Sequence, residues 1–399
     1  GTMGAGIAQV AAAHGWRVRL VDVNAEVLKR ADEGMRSFLN RSVEKGKLTA
    51  VDRDELLSRI VMSGRMDRIG DVPLAVEAVI EDLAVKRQVF RALEAATSSD
   101  AVLATNTSSL RVADIAARTD RPERVVGMHF FNPAPLMPLV EIIAAPASSD
   151  RALALATSAA RGWGKVTVRA KDTPGFIVNR VARGYYLEAL RMLGEGVAGV
   201  EQIDTTMKTL GQFRMGPFEL MDLVGLDVNY AVSQSVWEQS GRPLRLEPHE
   251  IQRTLVEAGR LGRKTGRGFY RYDAESPAAD ESYAVVGAPD DQDLLNAVMA
   301  FCARAIDGGA VATASPVERY VLARILATVM NEAALTLDDG VATAEDIDIA
   351  MQKGTNYPRG PLTWADSVGK ALTTEWLVTL GRQTGSARFR PAEYLGRSR

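Results

Sequence analysis

Gly1-Thr2-Met3-Gly4-Ala5-Gly6-Ile7-Ala8-Gln9-Val10-Ala11-Ala12-Ala13 runs closely spaced glycines into an alanine-rich helical stretch. Gly15 ends that stretch, and Val18-Arg19-Leu20-Val21-Asp22 reads as a strand finishing on a carboxylate. Together they form the second half of a dinucleotide-binding fingerprint. Gly1 and Gly4 stand where its last two glycines allow close approach of a pyrophosphate and tight helix packing, with phosphate held at the helix N-terminus. Asp22, 18 residues after Gly4, is placed to accept from the adenine ribose hydroxyls and to repel a 2′-phosphate, which favours NAD over NADP. The first strand and first glycine of such a fingerprint are expected ahead of residue 1, so the α/β domain is read as lacking its first strand here. Tight helix packing alone would explain the glycines, but not the acid at the end of the next strand.

Composition narrows the class. A length of 399 residues suggests two or three domains at roughly 100–200 residues each. A hydrophobic content of 46% with 25% charged residues is that of an ordinary soluble globular chain. A formal net charge of -2 gives neither a basic footprint for nucleic acid nor a polybasic membrane patch. Cys302 is the single cysteine, and His14, His129 and His249 are the three histidines, so neither a disulfide framework nor a Cys- or His-based metal site is expected. With no signal peptide and no apolar run of about 18 residues, the expectation is a cytoplasmic, metal-free protein with no membrane partner.

Residues 25 to 60 are charged and helical and contain Glu44-Lys45-Gly46-Lys47, which reads either as a solvated face or as a two-helix lid over a cofactor cleft. Leu74-Ala75-Val76-Glu77-Ala78-Val79 is a strand, with Glu81 and Lys86 at the start of the helix after it. Ala101-Val102-Leu103-Ala104-Thr105 is the next strand and ends in Asn106-Thr107-Ser108-Ser109. Val125-Val126-Gly127-Met128-His129 follows, breaks at Pro133, Pro135 and Pro138, and returns as Val140-Glu141-Ile142-Ile143. Open α/β sheets bind ligands at the carboxyl ends of their strands, where Glu81, Ser108 and His129 all fall. An imidazole at a strand mouth, with a carboxylate returned by the next strand, has the geometry of a general base and its orienting partner. Taken alone, His129 and Glu141 also fit a strand-end histidine and a surface acid, and Ser109 fits a helix cap.

Lys165-Val166-Thr167-Val168 is the last strand, leading to Asp172-Thr173-Pro174-Gly175-Phe176-Ile177-Val178-Asn179-Arg180. Beyond it apolar residues recur at three and four, a helical pattern that Gly262-Arg263-Lys264-Thr265-Gly266-Arg267-Gly268-Phe269-Tyr270 closes. An internal repeat follows at an offset of 144 residues: Glu201/Glu345, Ile203/Ile347, Asp204/Asp348, Met207/Met351, Gly216/Gly360, Pro217/Pro361 and Asp222/Asp366. Arg180 and Glu188 recur as Arg324 and Glu332, whereas Asn179 is matched by Ala323. The second copy therefore keeps the helical scaffold without the polar groups, and one active site per chain is expected.

These motifs, in this order and spacing, resemble the NAD-dependent L-3-hydroxyacyl-CoA dehydrogenases over about residues 1–273, with a second copy of the C-terminal helical domain added. The resemblance implies a Rossmann NAD-binding domain over 1–173, lacking its first strand, then all-α domains over 174–273 and 293–399. An acidic, Ala/Pro-rich linker over 274–292 separates the two copies. It implies that His129 is the catalytic base oriented by Glu141, with Ser108 and Asn179 hydrogen-bonding the substrate oxygen. NAD contacts then fall on Gly1, Gly4, Asp22, Glu81, Lys86, Asn132 and Lys264, and the lysine for the CoA phosphates on Lys45. A serine sometimes paired with that lysine falls here on Phe38, a departure from the family's pattern at this position. Asn179 comes from the helical domain, so the resemblance places the site in the cleft between domains.

Gln212-Phe213-Arg214-Met215-Gly216-Pro217-Phe218-Glu219-Leu220 and the duplicated helical domain look most like the phenylacetate-pathway enzymes that oxidise 3-hydroxyadipyl-CoA. The short-chain 3-hydroxybutyryl-CoA dehydrogenases of fatty-acid metabolism and β-oxidation share the core motifs and form the alternative. A non-catalytic structural protein on the same fold, as with the lens crystallins that resemble this family, is a rival from another class; the Ser108, His129, Glu141 and Asn179 set speaks against it. A hydroxy-acid dehydrogenase using a lysine base would need that lysine where Asn179 stands. Single-copy relatives dimerise through their helical domains, so two copies in one chain are expected to form an internal pseudo-dimer, leaving a monomer or a homodimer built elsewhere.

Overall fold

In a computed structural model, which describes residues 1–273, 276–306 and 308–397, the chain divides into two compact units, Gly1–Phe176 and Ile177–Arg399. The first contains α1 (Thr2–Ala13), β1 (Val18–Val21), α2 (Ala25–Glu44), α3 (Ala50–Ser58), β2 (Ile60–Ser63) and β3 (Leu74–Glu77). It continues through α4 (Leu83–Ala96), β4 (Val102–Thr105), α5 (Val112–Ala116), β5 (Val125–Phe130), β6 (Leu139–Ala144), α6 (Asp150–Gly162) and β7 (Val166–Lys171). β3-β4-β5-β6-β7 form one sheet, parallel except for the β5–β6 pair, and β1 pairs in parallel with β2 in a sheet of two strands. In the 3-2-1-4-5-6 order of dinucleotide-binding sheets, β2 and β1 correspond to places 3 and 2 and β3, β4 and β5 to places 4, 5 and 6. α1 packs across both pieces: a Cβ at Gly4 would stand 3.8 Å from Ala78 and 3.9 Å from Leu20.

β4 and most of β5 and β6 are buried along their whole length, which explains why they read as unbroken apolar runs rather than as alternation. One face packs on α1 and α6 through Ile7, Val10, Met128, Ile142, Leu153 and Trp163.

The second unit is helical and holds both repeats. The first copy comprises α7 (Val178–Gly194), α8 (Val200–Thr209), α9 (Pro217–Val224), α10 (Leu226–Gln239) and α11 (Glu250–Glu257), closed by β8 (Tyr270–Arg271). β9 (Ala278–Ala279), α12 (Gln292–Ala305) and α13 (Gly308–Thr313) lead to the second copy: α14 (Pro316–Asp338), α15 (Ala344–Gly354), α16 (Pro361–Val368), α17 (Lys370–Thr384) and α18 (Glu393–Gly396). The repeated aspartates explain the repeated glycines. Asp204 accepts from the Phe218 and Glu219 N–H groups at the start of α9, and Asp348 does the same for Leu362 and Thr363 at the start of α16. A Cβ at Gly216 or Gly360 would fall 2.3 or 2.2 Å from those carboxylates.

α7 and α14 cross with two-fold pseudosymmetry. Arg180 Nε donates to Glu332 at 2.9 Å, and its repeat counterpart Arg324 donates to Glu188 at 2.6 Å. Arg180 also pairs with Asp339 and Arg324 with Glu195, again counterparts, both at 2.6 Å. At the crossing, a Cβ on Gly184 would lie 3.2 Å from the backbone of Thr328, its own counterpart in the repeat. Each copy thus offers the other the same surface. α14 is long and apolar enough by composition to cross a membrane, yet it is mostly buried as the core helix of this unit.

The stretch read as a linker is held down. β9 pairs with β8, Asp280 binds Arg260, and the N–H groups of Val286 and Gly287 donate to the Gly196 carbonyl at 2.7 and 3.0 Å. An acidic, Ala/Pro-rich composition does not show these backbone bonds. Ala274 and Glu275 of the expected linker lie outside the described residues.

Candidate active site

His129 and Glu141 face each other across the antiparallel β5–β6 pair, in direct register. The Pro-broken loop between the strands makes this return, and a matched register puts both side chains on the same face. His129 Nδ1 and Glu141 Oε2 are 2.6 Å apart, with His129 5% and Glu141 0% exposed. A carboxylate partner fixes the proton on Nδ1 and leaves the Nε2 lone pair as the basic position. Phe131 and Phe176 flank the imidazole, their ring centroids 4.5 and 5.8 Å from its own. Asn106 Oδ1 accepts from the Phe130 N–H at 2.8 Å and ties the end of β4 to β5 beside the histidine.

Glu81 organises the neighbouring strand end. Its Oε1 accepts from Thr107 Oγ1 at 2.7 Å, from the N–H groups of Ser108 and Ser109 at 2.8 and 2.9 Å, and from Ser109 Oγ at 3.0 Å. The Ser108 hydroxyl stands 3.3 Å from the same oxygen. Burial works against the charge on Glu81. The Lys86 ammonium and the bonds from Thr107, Ser108 and Ser109 outweigh it and hold the carboxyl down at about 2. Glu81 is therefore ionised at neutral pH, and its charge shapes the turn that carries Ser108.

Three of the residues expected to contact the cofactor, Gly1, Gly4 and Asp22, lie together at the start of α1. Gly1 caps that helix without a side-chain hydrogen bond, and its backbone nitrogen lies 3.6 Å from Asp22 Oδ2 at the end of β1. A helix start with no side-chain cap, glycines in its first turn and a carboxylate beside it fits a dinucleotide: its N–H groups suit the pyrophosphate and Asp22 the ribose. Asn132 is exposed in the loop after β5. Lys165 Nζ fixes that loop by donating to the carbonyls of Ala134 and Met137 at 2.6 and 2.8 Å. On its other side Gly6 of α1 leaves room for Ala134 and Pro135, each 3.2 Å from where a Cβ would be.

The family model described as the NAD binding domain of 3-hydroxyacyl-CoA dehydrogenase matches residues 1–173. The model of the C-terminal domain matches 175–272 and again 320–398. The chain belongs to the 3-hydroxyacyl-CoA dehydrogenase family. It is 37% identical to the 3-hydroxyadipyl-CoA dehydrogenase of Escherichia coli K12, over 99% of this chain and 95% of that one. A crystal structure of 3-hydroxybutyryl-CoA dehydrogenase from the same organism superposes with a TM-score of 0.87 at 36% identity, covering 99% and 96% of the two chains. The (S)-3-hydroxybutyryl-CoA dehydrogenase of Ralstonia eutropha is 37% identical with a TM-score of 0.67, and covers 69% of this chain and 96% of its own. The double match of the C-terminal model agrees with the repeat at 144 residues and with the two helical copies.

This 3-hydroxyacyl-CoA dehydrogenase departs from the sequence reading at Lys86. Expected as a direct NAD contact, Lys86 is 1% exposed, with its ammonium 2.8 Å from Glu77 and 3.2 Å from Glu81. Its ammonium is therefore committed to these two carboxylates. Glu77, which the sequence left as an ordinary strand-end acid, also accepts from the Val79 N–H and from Thr105 Oγ1, each at 2.7 Å. Lys86→Met strands a fully buried carboxylate and should cost about 3–5 kcal/mol of stability. Urea unfolding followed by circular dichroism reads this directly, and an unchanged midpoint would contradict the pairing.

Lys45 is exposed at the C-cap of α2, with Phe38 half-buried about two turns earlier. Asn179 in α7 and Lys264, which pairs with Asp227 at 2.5 Å, belong to the helical unit of the dehydrogenase. Among the described residues no group of three or more His, Cys, Asp or Glu could hold a metal. Sequence reading missed Glu77, Thr105 and Thr107, and also Asp172, which accepts from Val112 and Ala113 at the start of α5 at 2.8 and 2.7 Å. An acid closing an apolar strand, with a lysine nine residues on, was the available signal for Glu77.

Proposed function

We propose that the chain oxidises 3-hydroxyadipyl-CoA to the 3-ketoacyl-CoA, with His129 as general base. The buried, 2.6 Å His129–Glu141 pair carries this reading, because it leaves Nε2 to take the proton of the 3-hydroxyl. NAD, when bound, supplies the acceptor for the hydride leaving the same carbon. Glu141 stabilises the imidazolium as it forms. The hydroxyl of Ser108, on the turn held by Glu81, and the amide of Asn179 hydrogen-bond the substrate oxygen. Gly1, Gly4, Asp22, Glu81, Asn132 and Lys264 serve the dinucleotide, and Lys45 the phosphates of CoA. The Rossmann domain spans 1–173, and the helical copies span 174–273 and 293–399. The mirrored ion pairs between α7 and α14 support an internal pseudo-dimer, as a monomer or in a homodimer built elsewhere. The bacterial relative that spans 99% of the chain supports a cytoplasmic enzyme.

Relatives named for either substrate span 99% of the chain, and the adipyl reading is supported by the likeness of Gln212–Leu220 and of the duplicated helical domain to the phenylacetate-pathway enzymes. Steady-state NADH formation with the two acyl-CoAs on the whole protein tests it. The expected result is a kcat/KM for 3-hydroxyadipyl-CoA at least about tenfold above that for 3-hydroxybutyryl-CoA, some 1.4 kcal/mol of transition-state binding. Equal or reversed values reject the substrate.

A further inference from the structure

α7 carries a second buried arginine that the ion-pair crossing does not use. Arg183 is 3% exposed. Its Nε donates to the Asn179 carbonyl at 2.9 Å, and its Nη1 to the Asn229 carbonyl at 3.1 Å and to Ser233 Oγ at 2.6 Å. The guanidinium lies over the Tyr186 ring, 4.9 Å from its centroid. Each of these partners is uncharged, and no carboxylate pairs with Arg183 among the described residues, where Nη2 also has no acceptor. Arg180 and Arg324 on the same helix pair are, by contrast, each met by two carboxylates. Burial without a counter-charge is costly, and it pushes the Arg183 guanidinium below its ordinary range.

The repeat supplies an internal control. Residues that hold the helical scaffold recur 144 positions on: Arg180 as Arg324, Glu188 as Glu332 and Asp204 as Asp348. Arg183 becomes Ala327, in the same copy where Asn179 becomes Ala323. Its partners change with it, Asn229 to Thr373 and Ser233 to Leu377. An arginine needed for the helical fold would be expected in both copies. This one is kept only where Asn179 is kept.

Position completes the argument. Arg183 follows Asn179 by one helical turn on the same face, where Cβ atoms are about 6 Å apart. In a six-carbon dicarboxylic acyl chain, three C–C bonds of about 1.5 Å separate C3 from the terminal carboxyl carbon, a reach of roughly 4 Å before the oxygens are added. An acyl chain whose 3-oxygen is held by Asn179 can therefore bring its far carboxylate to the next turn.

We propose that Arg183 is the specificity residue that receives the terminal carboxylate of the acyl chain through Nη2. The assignment rests on the 3-hydroxyadipyl-CoA reading and on Asn179 holding the substrate oxygen. It explains a buried, uncompensated charge as the complement of a charge the substrate brings. A charge-assisted contact from a planar guanidinium that its other two nitrogens hold in place suits Arg better than Lys.

The test compares kcat/KM for 3-hydroxyadipyl-CoA and 3-hydroxybutyryl-CoA in wild type, Arg183→Met and Arg183→Lys, all as the whole chain. Arg183→Met should lower the adipyl value about 100-fold and leave the butyryl value within about threefold, with Arg183→Lys between. A parallel fall on both substrates marks a structural arginine and overturns the proposal, as does an unchanged adipyl value. Should Arg183→Met fail to fold, wild-type inhibition decides: adipyl-CoA should inhibit at least about tenfold more tightly than hexanoyl-CoA of the same length, and equal inhibition overturns the assignment. Wild type preferring the butyryl substrate defeats the substrate reading itself. An adipyl preference that survives Arg183→Met defeats the Arg183 assignment alone.

Discussion

His129→Ala turns over about 10²–10⁴-fold more slowly than wild type while binding NADH with unchanged affinity. The expectation follows from where the side chain sits. Its Nδ1 is committed to Glu141 at 2.6 Å, inside β6, and its ring is held between Phe131 and Phe176. Removing the imidazole takes away the proton acceptor but none of the glycines and carboxylates at the start of α1, so dinucleotide binding is spared. Glu141→Gln should follow the same pattern more mildly, falling in kcat rather than in KM, because the amide still occupies Nδ1 without the charge that favours the imidazolium. Stopped-flow NADH formation with a parallel fluorescence titration of NADH separates the two effects. Near-wild-type turnover in His129→Ala would remove the histidine from the chemistry.

Glu188→Gln lowers the stability of the helical unit by about 3–5 kcal/mol at neutral pH. Glu188 is fully buried and receives Arg324 at 2.6 Å, Arg191 at 3.2 Å and Arg388 at 3.5 Å, so a neutral amide leaves Glu195 as the remaining carboxylate on Arg324 and Arg388 and strands the charge of Arg191. Burial opposes the charge on this carboxyl, but Arg324, Arg191 and Arg388 prevail and hold it down at about 2. A carboxyl depressed in the folded state stabilises fully above its unfolded value near 4.5, and the contribution drains away as pH falls toward 2. The gap in urea midpoint between wild type and Glu188→Gln should accordingly be widest at pH 6–7 and narrow below about pH 4.5. A gap that stays constant through the acid range would show that the ion cluster contributes nothing through its charge.

Much of the site could be read from local pattern. The prolines between two apolar runs announce that the strand bearing Glu141 comes back beside the one bearing His129. Asp22 ends an alternating strand at the spacing a dinucleotide fold requires, and the offset of 144 residues exposes the second helical copy. What escaped reading depends on contacts far apart in the chain. Lys86 reads as an NAD contact at a helix start until Glu77 closes on it from β3. Asp172 looks like a loop acid, yet it serves the N–H groups of Val112 and Ala113, 60 and 59 residues away. Arg183 lies among other helical charges, and nothing local marks it as the one whose partners are all neutral. The acidic segment after Tyr272 has the composition of a free linker because its anchors, Gly196 and Arg260, lie elsewhere in the chain.

The mirrored ion pairs of α7 and α14 also change how this assembly answers to dilution. In a protein that docks two separate chains through such a face, the occupied fraction falls as concentration drops. Here the two faces are joined covalently, so each meets the other at an effective concentration on the order of millimolar, whatever the amount of protein in the cell. Docking becomes a folding step rather than an association, and newly made chains need no partner to complete it. The join also ends the equivalence of the two halves. A substitution in the second copy no longer appears in the half that carries Asn179, and the second copy is free to keep only what docking requires.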